Sequence, residues 1–211
     1  MKISMLIYSD FTPLDMFGPL QVWSQLPNVD IELVAKTLEP ITTDTPAQIV
    51  PTHTYATAAS KPDILFVPGG TAGTFAIAKD NDALAYLADR GAHAGWVTSV
   101  CTGAIVLGAA GLLRGYKSTT HWAALDMLAE FGAEPVKERT VIDRNRASGG
   151  GVTAGIDFGL TLMAEIAGDE VAKATQLALE YNPEPPFNSG HPDVADEATV
   201  QAVIEGFAAA S

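Results

Sequence analysis

A single cysteine, Cys101, stands among 211 residues, and its neighbours make it a candidate nucleophile. It closes the run Trp96-Val97-Thr98-Ser99-Val100, which reads as a buried strand, and it precedes Thr102-Gly103-Ala104-Ile105-Val106-Leu107-Gly108-Ala109-Ala110-Gly111, a helix of small residues. At such a strand-to-helix turn the unpaired N–H groups and the dipole of the first helical turn favour an anion, and the thiolate is the reactive form of cysteine. This is the logic of the nucleophile elbow in α/β enzymes. A lone cysteine without such a turn is more often an inert core residue. The sequence therefore predicts a thiol pKa lowered by the helix and opposed by an ionised acid nearby, with one proton shared between the two groups. It also predicts a sulfur exposed enough to be oxidised readily to the sulfenic acid.

The candidate acid is Asp15, in Leu14-Asp15-Met16-Phe17-Gly18-Pro19, where the first strand gives way to the first helix. Asp15 either complements the helix dipole there or shuttles a proton to and from the thiol, a role suited to a carboxyl whose pKa burial has raised. Pro68-Gly69-Gly70 follows another strand. It is either a plain turn or a turn whose backbone N–H, at Gly70, pairs with that of Thr102 to stabilise an anion. Gly149-Gly150-Gly151-Val152-Thr153-Ala154 fits the dinucleotide pattern G-x-G-x-x-G/A formally, but so late in the chain that no nucleotide cofactor is expected. His53, His93, His121 and His191 are scattered without metal-ligand spacing, so no metal is expected. His121 reads as an ordinary hydrogen-bonded histidine in preference to a partner of Cys101. Trp23, Trp96 and Trp122 read as core or pocket wall.

Strands alternating with helices must carry these residues. Strands are expected over 2–8, 31–35, 63–67 and 96–100, with β-rich residues over 42–52 broken by Pro46 and Pro51. Helices are expected over 14–25, 81–93, 102–111, 123–131 (closed by Gly132), 153–166 (closed by Gly168), 169–181 and 196–209. Residues 119–121 read as a short strand end, and 136–142 with 146–148 as a hairpin about Asp143-Arg144-Asn145. A Pro-rich segment covers 182–192. The pattern predicts one α/β domain over 1–211, a doubly wound, mostly parallel, flavodoxin-like sheet with helices on both faces. In such sheets ligands bind beyond the carboxyl ends of the strands, where the turns at Gly69, Cys101 and Gly150 would gather.

A hydrophobic fraction of 47% with 18% charged residues describes a globular chain. The formal net charge of −13 argues against a nucleic-acid partner. No apolar run is long enough to span a bilayer, and the amino terminus does not read as a signal peptide. With a single cysteine, no internal disulfide forms, and a cytoplasmic protein is expected.

On Asp15 in Leu-Asp-x-x-Gly-Pro, Pro68-Gly69-Gly70, Ser99-Val100-Cys101-Thr102-Gly103, Thr119-Thr120-His121-Trp122 and Gly150-Gly151-Val152-Thr153-Ala154-Gly155-Ile156-Asp157, the chain resembles the ThiJ/PfpI superfamily over nearly its whole length. The segment Leu179-Glu180-Tyr181-Asn182-Pro183-Glu184-Pro185-Pro186-Phe187-Asn188 makes it most similar to the bacterial isocyanide hydratases within that superfamily. The resemblance implies a homodimer that adds water to an isocyanide without a cofactor. It implies Cys101 as nucleophile, Asp15 as acid and base, and the Thr102 hydroxyl helping Asp15 to orient water. It also implies a substrate-binding or oxyanion backbone at Gly70, Gly150, Gly151 and Val152. Many relatives carry histidine where Thr102 stands, which turns the reading away from protease or amidotransferase chemistry, and many carry glutamate near the thiol where this chain offers Asp15, as the isocyanide hydratases do. Two alternatives stay open: a ligand- or redox-sensing module, and a glyoxalase- or chaperone-like stress protein using the same thiol.

Overall fold

The computed structural model describes residues 1–209. In chain order the elements are β1 (Lys2–Leu6), α1 (Pro13–Trp23), β2 (Asp30–Ala35), β3 (Ile41–Thr42), β4 (Gln48–Ile49), β5 (His53–Thr54), β6 (Ile64–Val67), α2 (Ala72–Ile77), α3 (Asn81–Gly91), β7 (Trp96–Val100), α4 (Gly103–Ala109), β8 (Lys117–Ser118), a 3₁₀ helix (Trp122–Phe131), β9 (Glu134–Pro135), β10 (Thr140–Asp143), β11 (Arg146–Gly149), α5 (Ala154–Ala167), α6 (Asp169–Ala178) and α7 (Glu197–Ala209).

Seven strands form one sheet in the order β10-β11-β7-β6-β1-β2-β5. All neighbours are parallel except β10, which pairs antiparallel with β11 at one edge. The buried runs Ile64–Val67 and Val97–Val100 are what a strand covered on both faces requires. From β1 the chain crosses to β2 in one direction, whereas β6 leads to β7 in the other. Right-handed crossovers therefore put α1 and α3 on opposite faces. The doubly wound, mostly parallel fold expected from the sequence is the fold observed.

α1 packs closely on α5 because glycines line the contact: a Cβ on Gly18 would lie 3.3 Å from the Gly155 carbonyl carbon, and one on Gly155 would lie 3.0 Å from Pro19 Cδ. Trp23 of α1 bonds Gly159 O through Nε1 (3.1 Å) and meets Phe66 and Phe158 edge-on, with centroids 5.6 Å away in each case. This aromatic cluster fastens the helix that carries Asp15 to the sheet.

Four local readings are corrected. α2 was not foreseen. Within residues 42–52 the only strand is in the detached β3–β4 hairpin, and the edge strand β5 begins just beyond, at His53. The segment 123–131 is a 3₁₀ helix, although Gly132 does close it in the left-handed conformation (φ 75°). Finally, 119–121 is not strand; β8 ends at Ser118 and pairs with β9.

Candidate functional site

Cys101 stands between the last residue of β7 and the start of α4 with φ 55°, a left-handed conformation that a residue with a Cβ adopts only under constraint. The constraints are hydrogen bonds. Its N–H donates to Gly149 O (3.1 Å) and Gly150 O (2.7 Å), and its carbonyl accepts the Thr120 hydroxyl (2.7 Å). Gly103 lets α4 start this close to the end of β6, since a Cβ there would sit 2.2 Å from Val67 O. The elbow expected from the sequence is present.

Asp15, in the first turn of α1, is fully buried. Its Oδ2 accepts the Gly69 N–H (2.9 Å), while among the described residues its Oδ1 has no hydrogen-bond partner. Burial raises the carboxyl to about 7; the Gly69 N–H and the nearby Cys101 thiol pull the other way. The thiol is 5% exposed. Burial pushes it well above its ordinary value, the Asp15 charge adds to that, and the Thr102 N–H only partly opposes both. The expectation of a lowered, exposed thiol is thus overturned, because desolvation outweighs the first turn of α4. At neutral pH the thiol keeps its proton and Asp15 is the group poised to titrate.

Gly69 is where the two groups converge. A Cβ there would lie 2.6 Å from Thr102 N, 2.7 Å from Asp15 Oδ2 and 2.7 Å from Thr102 Oγ1. Gly69→Ala is expected to displace carboxyl and elbow together, lowering turnover on the order of a hundredfold and stability by about 1–3 kcal/mol. Steady-state kinetics and thermal melting check this, and an alanine variant with native turnover would overturn it.

Thr102 and Gly70 lie beside the thiol in roles other than those expected. The Thr102 hydroxyl donates to Gly70 O (2.8 Å), accepts the Gly70 N–H (3.0 Å) and meets Thr74 Oγ1 at 2.8 Å. A hydroxyl so engaged has no proton left to orient water, and a Gly70 N–H so engaged is not available to an anion. The Gly150 N–H is likewise spent on Arg139 O (2.9 Å). Among the described residues, the N–H groups of Gly151 and Val152 donate to no protein acceptor, which leaves them open to a ligand.

A cavity of about 700 Å³ opens beside the elbow; Thr120, His121, Trp122, Arg139, Gly151 and Val152 are among its walls. Cys101 and Asp15 are not among its walls, whereas Thr120 and Gly150, which bond the Cys101 backbone, are. His121 is a wall residue. Its Nδ1 accepts the Ala123 N–H (3.3 Å), its ring packs on Gly151 and against Trp122 and Phe207, and burial lowers its pKa. Among the described residues, no group of three or more His, Cys, Asp or Glu is placed to hold a metal, and no helix is long and apolar enough to cross a membrane.

Sequence reasoning missed Gly69 as the donor to Asp15, and it missed Thr74, Tyr8 and Thr120. Thr74, four residues after Gly70, carried a faint signal as a hydroxyl one helical turn beyond the glycine pair; Thr120 stood within the Thr119-Thr120-His121-Trp122 motif without a role, and Tyr8 carried no signal.

Comparison with known proteins places the family and the fold. The family model described as "DJ-1/PfpI family" matches residues 1–165. Isonitrile hydratase of Pseudomonas putida is 48% identical over 200 residues, covering 95% of this chain and 87% of the relative. The crystal structure of a ThiJ/PfpI family protein from Pseudomonas syringae superposes with a TM-score of 0.97 at 49% identity, over 98% of this chain and 86% of that one. Drosophila melanogaster DJ-1beta shares the fold alone, with a TM-score of 0.76 at 19% identity over 85% of this chain and 97% of that one.

Proposed function

The chain belongs to the DJ-1/PfpI family, and from that premise we propose that it is an enzyme hydrating isocyanides to N-substituted formamides, with Cys101 as nucleophile and Asp15 as acid and base. The observation that carries this reading is the Asp15 carboxyl. It is anchored through one oxygen, unpartnered at the other, held near 7 and in electrostatic contact with the elbow thiol. The 48% identity to an isonitrile hydratase supplies the substrate class.

The chemistry follows from these two groups. The terminal carbon of R–N≡C accepts both a nucleophile and a proton. Ionised Asp15 takes the thiol proton as the Cys101 sulfur bonds to that carbon, then returns the proton to the same carbon, giving the thioimidate R–N=CH–S–Cys101. Asp15 next takes a proton from water as the water oxygen adds to the carbon, and passes it to the nitrogen. The adduct R–NH–CH(OH)–S–Cys101 then breaks its C–S bond, with Asp15 carrying the hydroxyl proton to sulfur. The formamide R–NH–CHO leaves, and thiol and carboxylate are restored. Isocyanide and water balance the reaction, so no cofactor is called for. The N–H groups of Thr102, Gly151 and Val152 would stabilise charge as it develops in the adduct. Asp15, and not the Thr102 hydroxyl, orients the water.

A small-molecule substrate and a cytoplasmic setting that keeps the thiol reduced fit this reading. So does a homodimer, since Val203 and Ile204 of α7 are 39% and 43% exposed.

Formamide production from a small neutral isocyanide tests the proposal. Because Asp15 must be ionised and the thiol protonated at the outset, kcat/KM is expected to rise with pH through about 7 and then level off. Absence of formamide across graded isocyanides, or a rate that falls through this range, would overturn it.

A further inference from the structure

The site leaves one buried hydroxyl without a catalytic task. Thr74 of α2 is fully buried, and its Oγ1 lies 3.0 Å from Gly70 O, 2.8 Å from Thr102 Oγ1 and 3.3 Å from Tyr8 Oη. The Tyr8 hydroxyl, itself buried, donates to Pro68 O (2.8 Å). We propose that Thr74 is a positioning residue for the Cys101–Asp15 pair, a hydroxyl cross-link between the elbow and the loop that holds the acid, with Tyr8 as its anchor. The proposal rests on the reading of Cys101 and Asp15 given above.

Counting protons shows why the cross-link is needed. The Gly70 N–H already enters Thr102 Oγ1, the Thr102 proton has Gly70 O at 2.8 Å, and the Tyr8 proton has Pro68 O. The nearest acceptors for the Thr74 proton are Thr102 Oγ1 at 2.8 Å and Gly70 O at 3.0 Å, closer than Tyr8 Oη at 3.3 Å, and either of the two ties α2 to the site. Thr102 is covalently next to the nucleophile. Gly70 is next to Gly69, whose N–H donates to the Asp15 carboxylate. One hydroxyl thus sits between the neighbour of the thiol and the neighbour of the acid's backbone donor. A threonine that merely bonded the carbonyl four residues back would do so without reaching Thr102.

Thr74→Val removes the hydroxyl at nearly constant shape, and Thr74→Ser keeps it. The valine variant is expected to lose about tenfold to a hundredfold in kcat with KM within about twofold, because the reacting groups shift and not the cavity. Its acidic limb moves above that of the wild type, since a loosened Gly69 N–H leaves the burial of Asp15 less opposed. Serine restores both, and Tyr8→Phe moves both in the same direction by less. The pH dependence of Cys101 alkylation by iodoacetamide, followed without isocyanide, is expected to shift with the kinetic limb. A valine variant with wild-type kcat and an unmoved limb overturns the proposal. So does equal loss in valine and serine variants with the limb unmoved, which marks a merely structural hydroxyl. If wild-type protein makes no formamide while the alkylation limb moves as expected, the hydration reading fails and the positioning role stands.

Discussion

Replacing Cys101 by alanine or serine is expected to end formamide production, with a loss on the order of 10⁴-fold or more, while the fold survives. The reaction needs a soft, polarisable atom that adds to the isocyanide carbon and later leaves it. Serine keeps the hydrogen-bonding geometry and provides neither property. The backbone hydrogen bonds at Gly149, Gly150 and Thr120 do not involve the side chain, so either variant keeps the elbow, and its melting temperature should stay close to that of the native protein. Intact-mass measurement of the stalled reaction adds a second reading, because the wild type should carry an isocyanide adduct that neither variant forms. Formamide release by the alanine variant at a near-native rate would remove Cys101 from the mechanism.

Asp15→Asn should be nearly as damaging to turnover, yet it should strengthen the fold. The amide can still accept the Gly69 N–H, but it cannot ferry a proton. The stability effect follows from the sign of the shift. Asp15 is raised from 3.8 to about 7 on folding, so the folded state holds that proton more tightly than the unfolded one. Its contribution is therefore most favourable in acid, and it erodes as the pH climbs from near the ordinary carboxyl value through about 7. Full ionisation withdraws about 4 kcal/mol at most. Asparagine, neutral throughout, should melt above the wild type at about pH 8, and the gap should close towards about pH 4. Asp15→Glu should retain partial activity, since a methylene displaces the acid by about an ångström and costs roughly a hundredfold. Asparagine with most of the native rate would make Asp15 a helix-capping acid, with the proton coming from water.

What the sequence revealed and what it hid have a common physical cause. The run Ile64–Val67 announces a buried parallel strand because both faces must be apolar, whereas Val97–Val100 is buried with Thr98 and Ser99 inside it. Cys101 and Asp15 were legible because strand-to-helix turns at the carboxyl edge of such a sheet converge. The thiol pKa was not legible, because it depends on desolvation, which only the packed neighbours determine. The Gly70 N–H and the Thr102 hydroxyl were read as facing the substrate, whereas they face each other at 3.0 Å; which way a backbone amide points is decided by the turn geometry and not by residue type. α2 escaped notice because Ala72–Ile77 is too short to establish a period, and 123–131 carried an apolar helical pattern that cannot distinguish 3₁₀ from α.

The left-handed backbone at Cys101 bears on how this protein would evolve under selection. A residue with a Cβ in that conformation is strained by about 1 kcal/mol or more relative to glycine. With Asp15 buried beside it, the two residues that do the chemistry are also two that the fold would hold more comfortably in another form. A laboratory lineage screened only for heat resistance would drift towards glycine at 101 and an amide at 15, and become sturdier as it fell silent. Variants bred for endurance therefore need a catalytic screen in every round, and a natural sequence that keeps both residues records continued demand for the reaction.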